Sequence, residues 1–300
     1  MRPVTGFHHE TAFYGSDDDF LSLTVPFVEE GLRAGHPTFV ACAEQNTALL
    51  RGALGRDDAV TYLPGADQYA RPSDAIASYR ELCGKLVAAG ATRIHVVGDV
   101  PHPGTGAPWD WWARYEAAVN QAYAEFPLWG LCPYDTRTTP DYVLADVART
   151  HPHVAGSANL DYGGVLSAPR PDVLEQSRPL LELVDPTPAA VRCAVNAAIA
   201  NVDLDEESAH DVVYAASEII TNGLTHGAGP VRFRLWADRS RVVIACTDRG
   251  PGPRDPLVGL VPTEVTQTAG LGLWILHRTC GYVSMGRSED GFTVRVSVGS

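Results

Sequence analysis

Four short apolar runs alternate with helical patterns in the first half of this 300-residue sequence, and that alternation strongly limits the fold. The runs are apolar throughout, as are central strands of a parallel sheet that helices cover on both faces. Helical patterns over 74–89 and 110–125 stand between successive runs. The alternation predicts βαβ units in a doubly wound α/β domain. The expected strands are 38–43, 60–63, 94–98 and 128–132.

The second half has a different order of helical and strand patterns. Two helical patterns, 188–201 and 206–225, precede an alternating strand at 231–236 and an apolar strand at 241–247. The four residues between these strands predict a hairpin, and the alternating segment 292–298 would join the same sheet. We therefore expect an α+β sandwich in this half.

Prolines separate the two halves. They interrupt any long helix or strand in the intervening segment. The prolines are Pro152, Pro169, Pro171, Pro179, Pro186 and Pro188. We interpret the segment as a linker with at most one helix. The expected organisation is an N-terminal domain over 1–152, a linker over 153–187 and a C-terminal domain over 188–300.

Composition and charge exclude several functions. With 45% hydrophobic residues and a formal net charge of −13, the chain suits a folded protein but not a broad basic face for nucleic acid. No apolar stretch approaches the roughly 20 residues of a membrane span, and the N-terminus has no hydrophobic signal core. We expect a cytoplasmic protein that contacts neither nucleic acid nor membrane directly. The six scattered cysteines predict buried, reduced thiols.

The first of three functional segments lies near the end of the second helical pattern. Glu218, Asn222 and His226 recur every four residues, which places them along one face of a helix. The residues expected to pack on the opposite side are Val212, Ala215, Ala216 and Ile219. An Asn222 amide oxygen would suit Mg²⁺, and Glu218 would suit a general base. Taken alone, the pattern also fits an exposed helix face that ends at a Gly227 C-cap.

The other two segments combine an acid with paired glycines. Asp248 directly follows an apolar strand, where its carboxylate can accept a hydrogen bond from an exocyclic amine such as that of adenine. Gly250 and Gly252 would let the backbone pass close to the base. After residues 253–269, a second glycine pair opens an apolar helix, whose N–H groups favour phosphate. That segment is Gly270, Leu271, Gly272 and Leu273. A plain turn and a loop-to-helix joint are the structural alternatives.

Together, the three segments resemble the N, G1 and G2 boxes of the GHKL superfamily of ATP-binding domains. This superfamily includes histidine kinases, gyrase-type ATPases and anti-sigma-factor serine kinases. The resemblance covers about 188–300, with Gly223, where the family often has Ala, as the visible departure. It implies a GHKL (Bergerat) ATP-binding sandwich with an ATP lid over 253–269, Asn222 as the Mg²⁺ ligand, Glu218 as the catalytic base and Asp248 as the adenine reader. The implied nucleotide contacts are Asn222, His226, Asp248, Gly250, Gly252, Gly270, Leu271, Gly272 and Leu273.

The flanking sequence distinguishes among the GHKL activities. A histidine kinase needs a phosphoacceptor histidine on a helix before the ATPase domain, but residues 154–209 contain none, and His210 shares the predicted helix with Glu218. Gyrase-type ATPases place a transducer domain after the ATPase, whereas the sequence given ends at Ser300. We therefore expect the anti-sigma type, which uses ATP to phosphorylate a Ser or Thr of an anti-sigma antagonist.

The resemblance implies a partner switch. An unphosphorylated antagonist, a STAS-type protein, captures the kinase and frees a sigma factor, and the phosphorylated antagonist releases the kinase. Dimers are common in the family, so a homodimer is compatible with the resemblance. Two alternatives stay open. One is an ATP-binding switch that sequesters a sigma factor without catalysis, and the other is a histidine kinase-like signalling protein.

Short phrases in the first half resemble the MEDS sensory domain, a RecA-like module without a P-loop. They lie at 8–14, 27–33 and 129–135, and the resemblance covers about 5–150. The strand at 38–43 is followed by Glu-Gln-Asn-Thr instead of a glycine-rich phosphate loop. The resemblance implies a RecA-like parallel sheet and the sensing of small organic molecules.

Ligands of parallel α/β sheets bind beyond the carboxyl ends of the strands. The candidate ligand-binding residues there are Asp99, Cys132, Tyr134 and Asp135. His8, His9 and Cys132 also raise a metal hypothesis, but without paired ligand spacing a structural thiol and exposed histidines are the favoured interpretation. Three tryptophans fit the start of a helix that packs on the sheet better than a pocket lining: Trp109, Trp111 and Trp112.

Overall fold

The structure, a computed structural model, describes residues 6–55, 59–163, 169–255, 258–261 and 271–299. The chain divides into two compact units, Met1–Ser167 and Ala168–Ser300. Within the described ranges, no helix has both the length and the apolar character needed to cross a membrane.

The first unit is an α/β domain built on a largely parallel sheet. Its strand order is β3-β2-β4-β5-β1-β6-β7, and only β6 and β7 pair antiparallel. The elements are β1 (His8–Tyr14), α1 (Asp17–Arg33), β2 (Thr38–Ala41), α2 (Glu44–Leu54), β3 (Val60–Tyr62), α3 (Gly65–Gln68), α4 (Pro72–Ala88), β4 (Ile94–Gly98), α5 (Trp109–Ala122), β5 (Leu128–Asp135), α6 (Asp141–Thr150), β6 (His153–Val154) and β7 (Ser157–Ala158). The predicted α/β domain is confirmed.

Burial explains which strands the sequence revealed. Every residue of β2 and β4 is buried, and all of them except Thr38 and His95 are apolar or glycine, so both strands read as apolar runs. Strand β1 is also largely buried, but three of its buried residues are polar: His9, Glu10 and Thr11. Its place in the sheet, between β5 and β6, was therefore not evident from hydrophobicity.

The tryptophans of α5 pack inside the first unit, as predicted. All three side chains are buried, and Trp109 Nε1 donates a hydrogen bond of 3.0 Å to Asp146 Oδ2 on α6. The indole N–H of a buried tryptophan needs such an acceptor. The contact joins α5 to α6 on one side of the sheet.

The second unit is an α+β sandwich with an antiparallel sheet of order β11-β12-β10-β9-β8. Its elements are β8 (Leu181–Val184), α7 (Pro188–Ile199), α8 (Glu206–His226), β9 (Arg232–Ala237), β10 (Arg241–Asp248), α9 (Leu271–Thr279), β11 (Tyr282–Ser288) and β12 (Gly291–Gly299). Apolar side chains of the three helices and of one sheet face form a single core. The two predicted helices, the hairpin and the closing strand are present.

The segment 153–187, expected to be a linker, is divided between the two units. Strands β6 and β7 extend the first sheet, and β8 pairs with β9 at the edge of the second. A 3₁₀ turn at Val173–Gln176 covers the sheet face opposite the helices, where Leu174 packs against Trp236. Prolines stop long helices but permit short edge strands and turns, so proline density alone did not reveal these short strands.

Five of the six cysteines are buried, in line with the prediction of buried thiols. Cys193, on α7, is exposed instead. All six lie in the described ranges and are free thiols.

Candidate functional site

Helix α8 carries the first segment. Asp205 caps its N-terminus by accepting a hydrogen bond of 2.6 Å from the Ser208 N–H. The side that packs on the sheet contains Val212, Ala215, Ala216, Ile219, Ile220 and Gly223, which includes every residue predicted there. Glu218 and Asn222 are half-buried on the remaining face, and His226 is exposed. The helix thus presents a carboxylate and an amide one turn apart.

Burial also changes the acidity of Glu218. Partial desolvation raises the pKa of its carboxyl above the ordinary value for glutamate. A carboxylate with a raised pKa holds a transferred proton more tightly, which is what general-base catalysis requires.

Asp248, the last residue of β10, is buried at the end of the central strand. Its Oδ1 accepts hydrogen bonds from the N–H groups of Gly250 at 2.6 Å and Ala228 at 3.2 Å. Both bonds go to Oδ1, so Oδ2 is the oxygen that an amine of a ligand would reach. The backbone packs closely here, because a Cβ at Gly227 or Gly250 would lie within 2.7 Å of the Asp248 carboxylate.

Gly252 continues this close packing. Its φ of +74° favours glycine, and a Cβ there would meet the ring of Phe292 at 2.5 Å. The carbonyl of Gly250 accepts a hydrogen bond of 2.5 Å from Arg287 on β11. The second segment is therefore a fixed backbone turn at the end of β10.

The third segment begins α9. A Cβ at Gly272 would overlap the carboxylate of Glu218 on α8, so only glycine fits that side chain as it stands. Leu273 is buried in the core, and Leu271 is 43% exposed. Gly270 and residues 256–257 and 262–269 of the expected lid lie outside the described residues.

The three segments meet in one region of the second unit. Gly272 adjoins Glu218, and Gly227, at the end of α8, adjoins Asp248. Carboxylate and amide oxygens suit Mg²⁺, the buried acid suits an amine donor, and the glycine positions allow a backbone to approach a nucleotide. The donor set and the glycine-lined surface fit ATP with Mg²⁺.

Gly223 is the position where the GHKL family often has alanine. A Cβ there would lie 2.9 Å from Cys246 Sγ and 3.0 Å from Val231 Cγ1. These two side chains fill the space beneath α8, so the departure from the family pattern has a packing cause in this chain.

The first unit has a separate cavity of about 660 Å³. Its lining includes Asp99 and Asp135, which we predicted, together with Tyr14, Asn46 and His102. Side chains alternate across a strand, so Cys132 and Tyr134 of β5 face the other side of the sheet from Asp135. The prediction that these two residues share the ligand site with Asp99 is wrong.

Asp99 is the most strongly perturbed acid of this cavity. Its Oδ2 accepts hydrogen bonds from Asn46 Nδ2 at 2.8 Å and the Ala43 N–H at 3.0 Å. Its Oδ1 is buried and makes no hydrogen bond to any described residue. Burial raises the pKa of Asp99 to about 6.

The expectation of an exposed His9 is also wrong, because His9 is buried beside Cys132 with a distance of 3.7 Å from Nε2 to Sγ. Glu116 and His151 adjoin the same histidine and were missed. A sequence signal existed for Glu116, since it is an acid on the face of α5 that otherwise buries apolar and aromatic residues.

Two family profiles match the chain. The MEDS profile, for methanogen/methylotroph, DcmR sensory domain, matches residues 8–152, and the histidine kinase-like ATPase domain matches residues 184–298. The chain therefore joins an N-terminal MEDS domain to a C-terminal histidine kinase-like ATPase domain.

Similar solved structures include the RsbU and RsbW domains of Rv1364c from Mycobacterium tuberculosis, with 16% identity and a TM-score of 0.29. That match covers 41% of this chain and only 32% of the mycobacterial chain. The histidine kinase domain of the E. coli osmosensor EnvZ matches with 20% identity and a TM-score of 0.24, over 41% of this chain and 91% of that domain. No curated protein sequence matches significantly.

Proposed function

We propose that the C-terminal domain binds ATP with Mg²⁺ and phosphorylates a Ser or Thr of an anti-sigma antagonist, under the control of the MEDS domain. The observation that carries this proposal is the placement of Glu218 beside Gly272 and one helical turn from Asn222. In this proposal, a base, an amide oxygen and a glycine-led helix would be available to the same phosphate group.

The roles follow from the chemistry of each side chain. Asp248 would accept a hydrogen bond from the adenine amine, and the amide oxygen of Asn222 would hold Mg²⁺. When bound, Mg²⁺ neutralises phosphate charge during transfer. Glu218 would take the proton from the attacking Ser or Thr hydroxyl. The hydroxyl oxygen would bond to the γ-phosphorus as the bond between that phosphorus and the ADP oxygen breaks. The raised pKa of Glu218 supports this role.

A protein hydroxyl is favoured over a histidine as the phosphate acceptor. Residues 154–209 contain no histidine, and His210 lies on α8 itself, two turns before Glu218. Because His210 is fixed on the same helix two turns away, its side chain cannot reach a phosphate that is bound beside Glu218. The net charge of −13 favours protein partners, an antagonist and a sigma factor, over nucleic acid.

The second candidate is a binding switch that holds ATP and sequesters a sigma factor without transfer. The half-buried position and raised pKa of Glu218 favour the enzyme, because a purely binding domain has no use for a tuned base. In either case, the cavity of about 660 Å³ in the MEDS domain would receive the small-molecule signal.

The test is a transfer assay with the full chain, Mg-ATP and candidate antagonists, with the phosphosite located by mass spectrometry. We expect phosphoserine or phosphothreonine on an antagonist, lost with Glu218→Gln and with Asn222→Ala. Glu207→Gln, an exposed acid in the first turn of α8, is the matched control and should transfer normally. Tight ATP binding without transfer to any antagonist would favour the switch, and acid-labile phosphate on a histidine would favour the histidine kinase alternative.

A further inference from the structure

Four buried side chains that can ligate a metal meet inside the MEDS domain. They are His9 on β1, Glu116 on α5, Cys132 on β5 and His151 directly after α6. One ligand atom of each lies within 4.8 Å of the corresponding atom of every other. His9, Glu116 and His151 are at most 1% exposed, and Cys132 is 9% exposed. We call this set the His-Glu-Cys-His cluster.

The sheet explains the meeting of residues that are far apart in sequence. Strands β1 and β5 are parallel neighbours, with His9 opposite Gly130 and Thr11 opposite Cys132. His9 and Cys132 point to the side of the sheet that α5 covers, where Glu116 approaches them. His151 completes the cluster because α6 packs beside α5, and its ring lies 3.9 Å from that of His9 between centroids.

Three of the six distances between the ligand atoms are close to those of a tetrahedral site. His9 Nε2 lies 3.2 Å from Glu116 Oε2 and 3.7 Å from Cys132 Sγ, and His151 Nε2 lies 3.6 Å from Glu116 Oε2. Ligand atoms at about 2.0–2.3 Å from a zinc ion in a tetrahedron are about 3.3–3.7 Å apart.

Neighbouring groups orient three of these ligands. The Nδ1 of His9 lies 3.1 Å from Asn120 Oδ1, and the Nδ1 of His151 lies 2.8 Å from the Val147 carbonyl. Tyr134 donates a hydrogen bond of 2.6 Å to Glu116 Oε1. Each bond engages the atom that faces away from the cluster, which is how protein metal sites fix their ligands.

Two of the four atoms that face inward lack such partners. Glu116 Oε2 and His151 Nε2 are buried, and neither makes a hydrogen bond to the described part of the chain. The 3.2 Å approach of His9 to Glu116 is close but lacks hydrogen-bond geometry. A buried carboxylate oxygen without a partner is costly, and a bound cation would satisfy both atoms.

The charges of the ligand types also suit a divalent metal. Neutral imidazole is the form that binds metals. One carboxylate and one thiolate would balance the two charges of a divalent ion, with the thiol proton released on binding.

We propose that the His-Glu-Cys-His cluster binds a divalent transition-metal ion of the zinc class through His9 Nε2, Glu116 Oε2, Cys132 Sγ and His151 Nε2. Thiolate and imidazole ligands favour Zn²⁺ over Mg²⁺ or Ca²⁺, which prefer oxygen. A cavity of about 30 Å³ borders His9, Glu116 and Cys132, with room for a water-sized ligand beside the ion. The site is independent of the proposed kinase activity.

The test uses the full chain, stripped with a chelator and titrated with Co²⁺ and then Zn²⁺. We expect about one tightly bound ion per chain, a thiolate-to-cobalt charge-transfer band, and thermal stabilisation by Zn²⁺ that the chelator reverses. Cys132→Ser should abolish the band, and Cys132→His should lose the band but retain Zn²⁺. Cys83→Ser, another buried thiol, and Cys193→Ser, an exposed one, should leave the band unchanged.

The cobalt titration of the unsubstituted protein does not depend on whether any variant folds. Absence of both the charge-transfer band and stabilisation by Zn²⁺ in that protein would overturn the proposal. Retention of the band in a folded Cys132→Ser protein would also overturn it, because the thiolate would then come from elsewhere. Asn222→Ala should leave the band intact, so failure of the proposed ATP site would not resemble failure of this site.

Discussion

Gly272, the second residue of α9, lies directly against the carboxylate of Glu218 on α8. The start of α9 and the proposed base are therefore coupled, since a side chain at position 272 must displace the Glu218 carboxylate. This displacement requires only the flexible end of a glutamate to move, not the backbone.

We predict that Gly272→Ala lowers phosphate transfer far more than it lowers ATP affinity. The added Cβ would turn the Glu218 carboxylate away, while Asn222 and Asp248 keep their positions. The fall in kcat should approach that of Glu218→Gln, and the thermal stability should change little. The check is a comparison of kcat with the directly measured Kd for ATP.

Thr279→Ala, at the exposed end of α9, is the control for this substitution and should retain normal transfer. Equal losses of affinity and rate in Gly272→Ala would contradict the coupling, because they would indicate a general disturbance of α9.

Asp248→Asn should reduce ATP affinity at least tenfold, equivalent to about 1.4 kcal/mol. The asparagine can keep an oxygen towards the N–H groups of Gly250 and Ala228, but it then presents an amide donor to the adenine amine. The same donor suits the 6-oxo group of guanine, so the preference for ATP over GTP should narrow. Competition binding with both nucleotides measures this preference.

Asp238→Asn is the matched control, because Asp238 also accepts two backbone hydrogen bonds but lies in the exposed turn between β9 and β10. It should bind both nucleotides as the unsubstituted protein does. An unchanged nucleotide preference in Asp248→Asn would remove Asp248 from base recognition.

Gly223→Ala should destabilise the second unit by about 1–3 kcal/mol, because the new methyl would press on Cys246 and Val231. Adding Cys246→Ala should recover part of this loss. Hydrogen exchange of α8 peptides measures both effects.

Gly84→Ala in α4 is the opposite case, since a Cβ there meets no described atom within 4 Å, and it should stabilise the first unit by about 0.5–1 kcal/mol. Equal changes in stability for Gly223→Ala and Gly84→Ala would contradict the packing argument.

Asp99 should make the stability of the MEDS domain depend on pH. Its pKa is about 6 in the folded protein and close to 3.8 when unfolded, so folding favours the protonated carboxyl. The stabilising contribution is full below about pH 4 and is lost as the pH rises through about 6. The loss is roughly 1–3 kcal/mol.

Asp99→Asn should remove this loss, because the neutral amide resembles the protonated acid. The variant should therefore be more stable than the unsubstituted domain at pH 7 and similar at pH 4, as measured by thermal unfolding across that range. Asp18→Asn, an exposed acid in the first turn of α1, should keep the original pH dependence. If the stability of Asp99→Asn depended on pH as that of the unsubstituted domain does, the pH dependence would belong to another group.

Hydrophobic pattern predicted the strands whose buried residues are mostly apolar, such as β2 and β4, and the amphipathic α8. It failed where buried residues are polar. Strand β1 contains buried His9 and Glu10, and the edge strand β8 lies among prolines. Such residues are stabilised by partners distant in sequence, which periodicity does not record.

The candidate ATP site was predictable because its residues form compact segments, with Glu218 and Asn222 one turn apart. The contact of Gly272 with Glu218 could not be predicted without the three-dimensional structure. The same holds for the packing that explains a glycine at position 223. The His-Glu-Cys-His cluster was hidden for the same reason. Its members lie on β1, α5 and β5 and directly after α6, and no two of them have a spacing typical of metal ligands.

The segment 169–184 has a practical consequence for producing the ATPase domain by itself. A fragment begun at residue 188, the proline-marked boundary, would lack β8 and would expose the backbone edge of β9 along with Trp236. It would also lose the ion pair between Glu175 and Arg295. Unpaired strand edges beside exposed aromatic rings promote aggregation, so a soluble fragment should begin at or before residue 169.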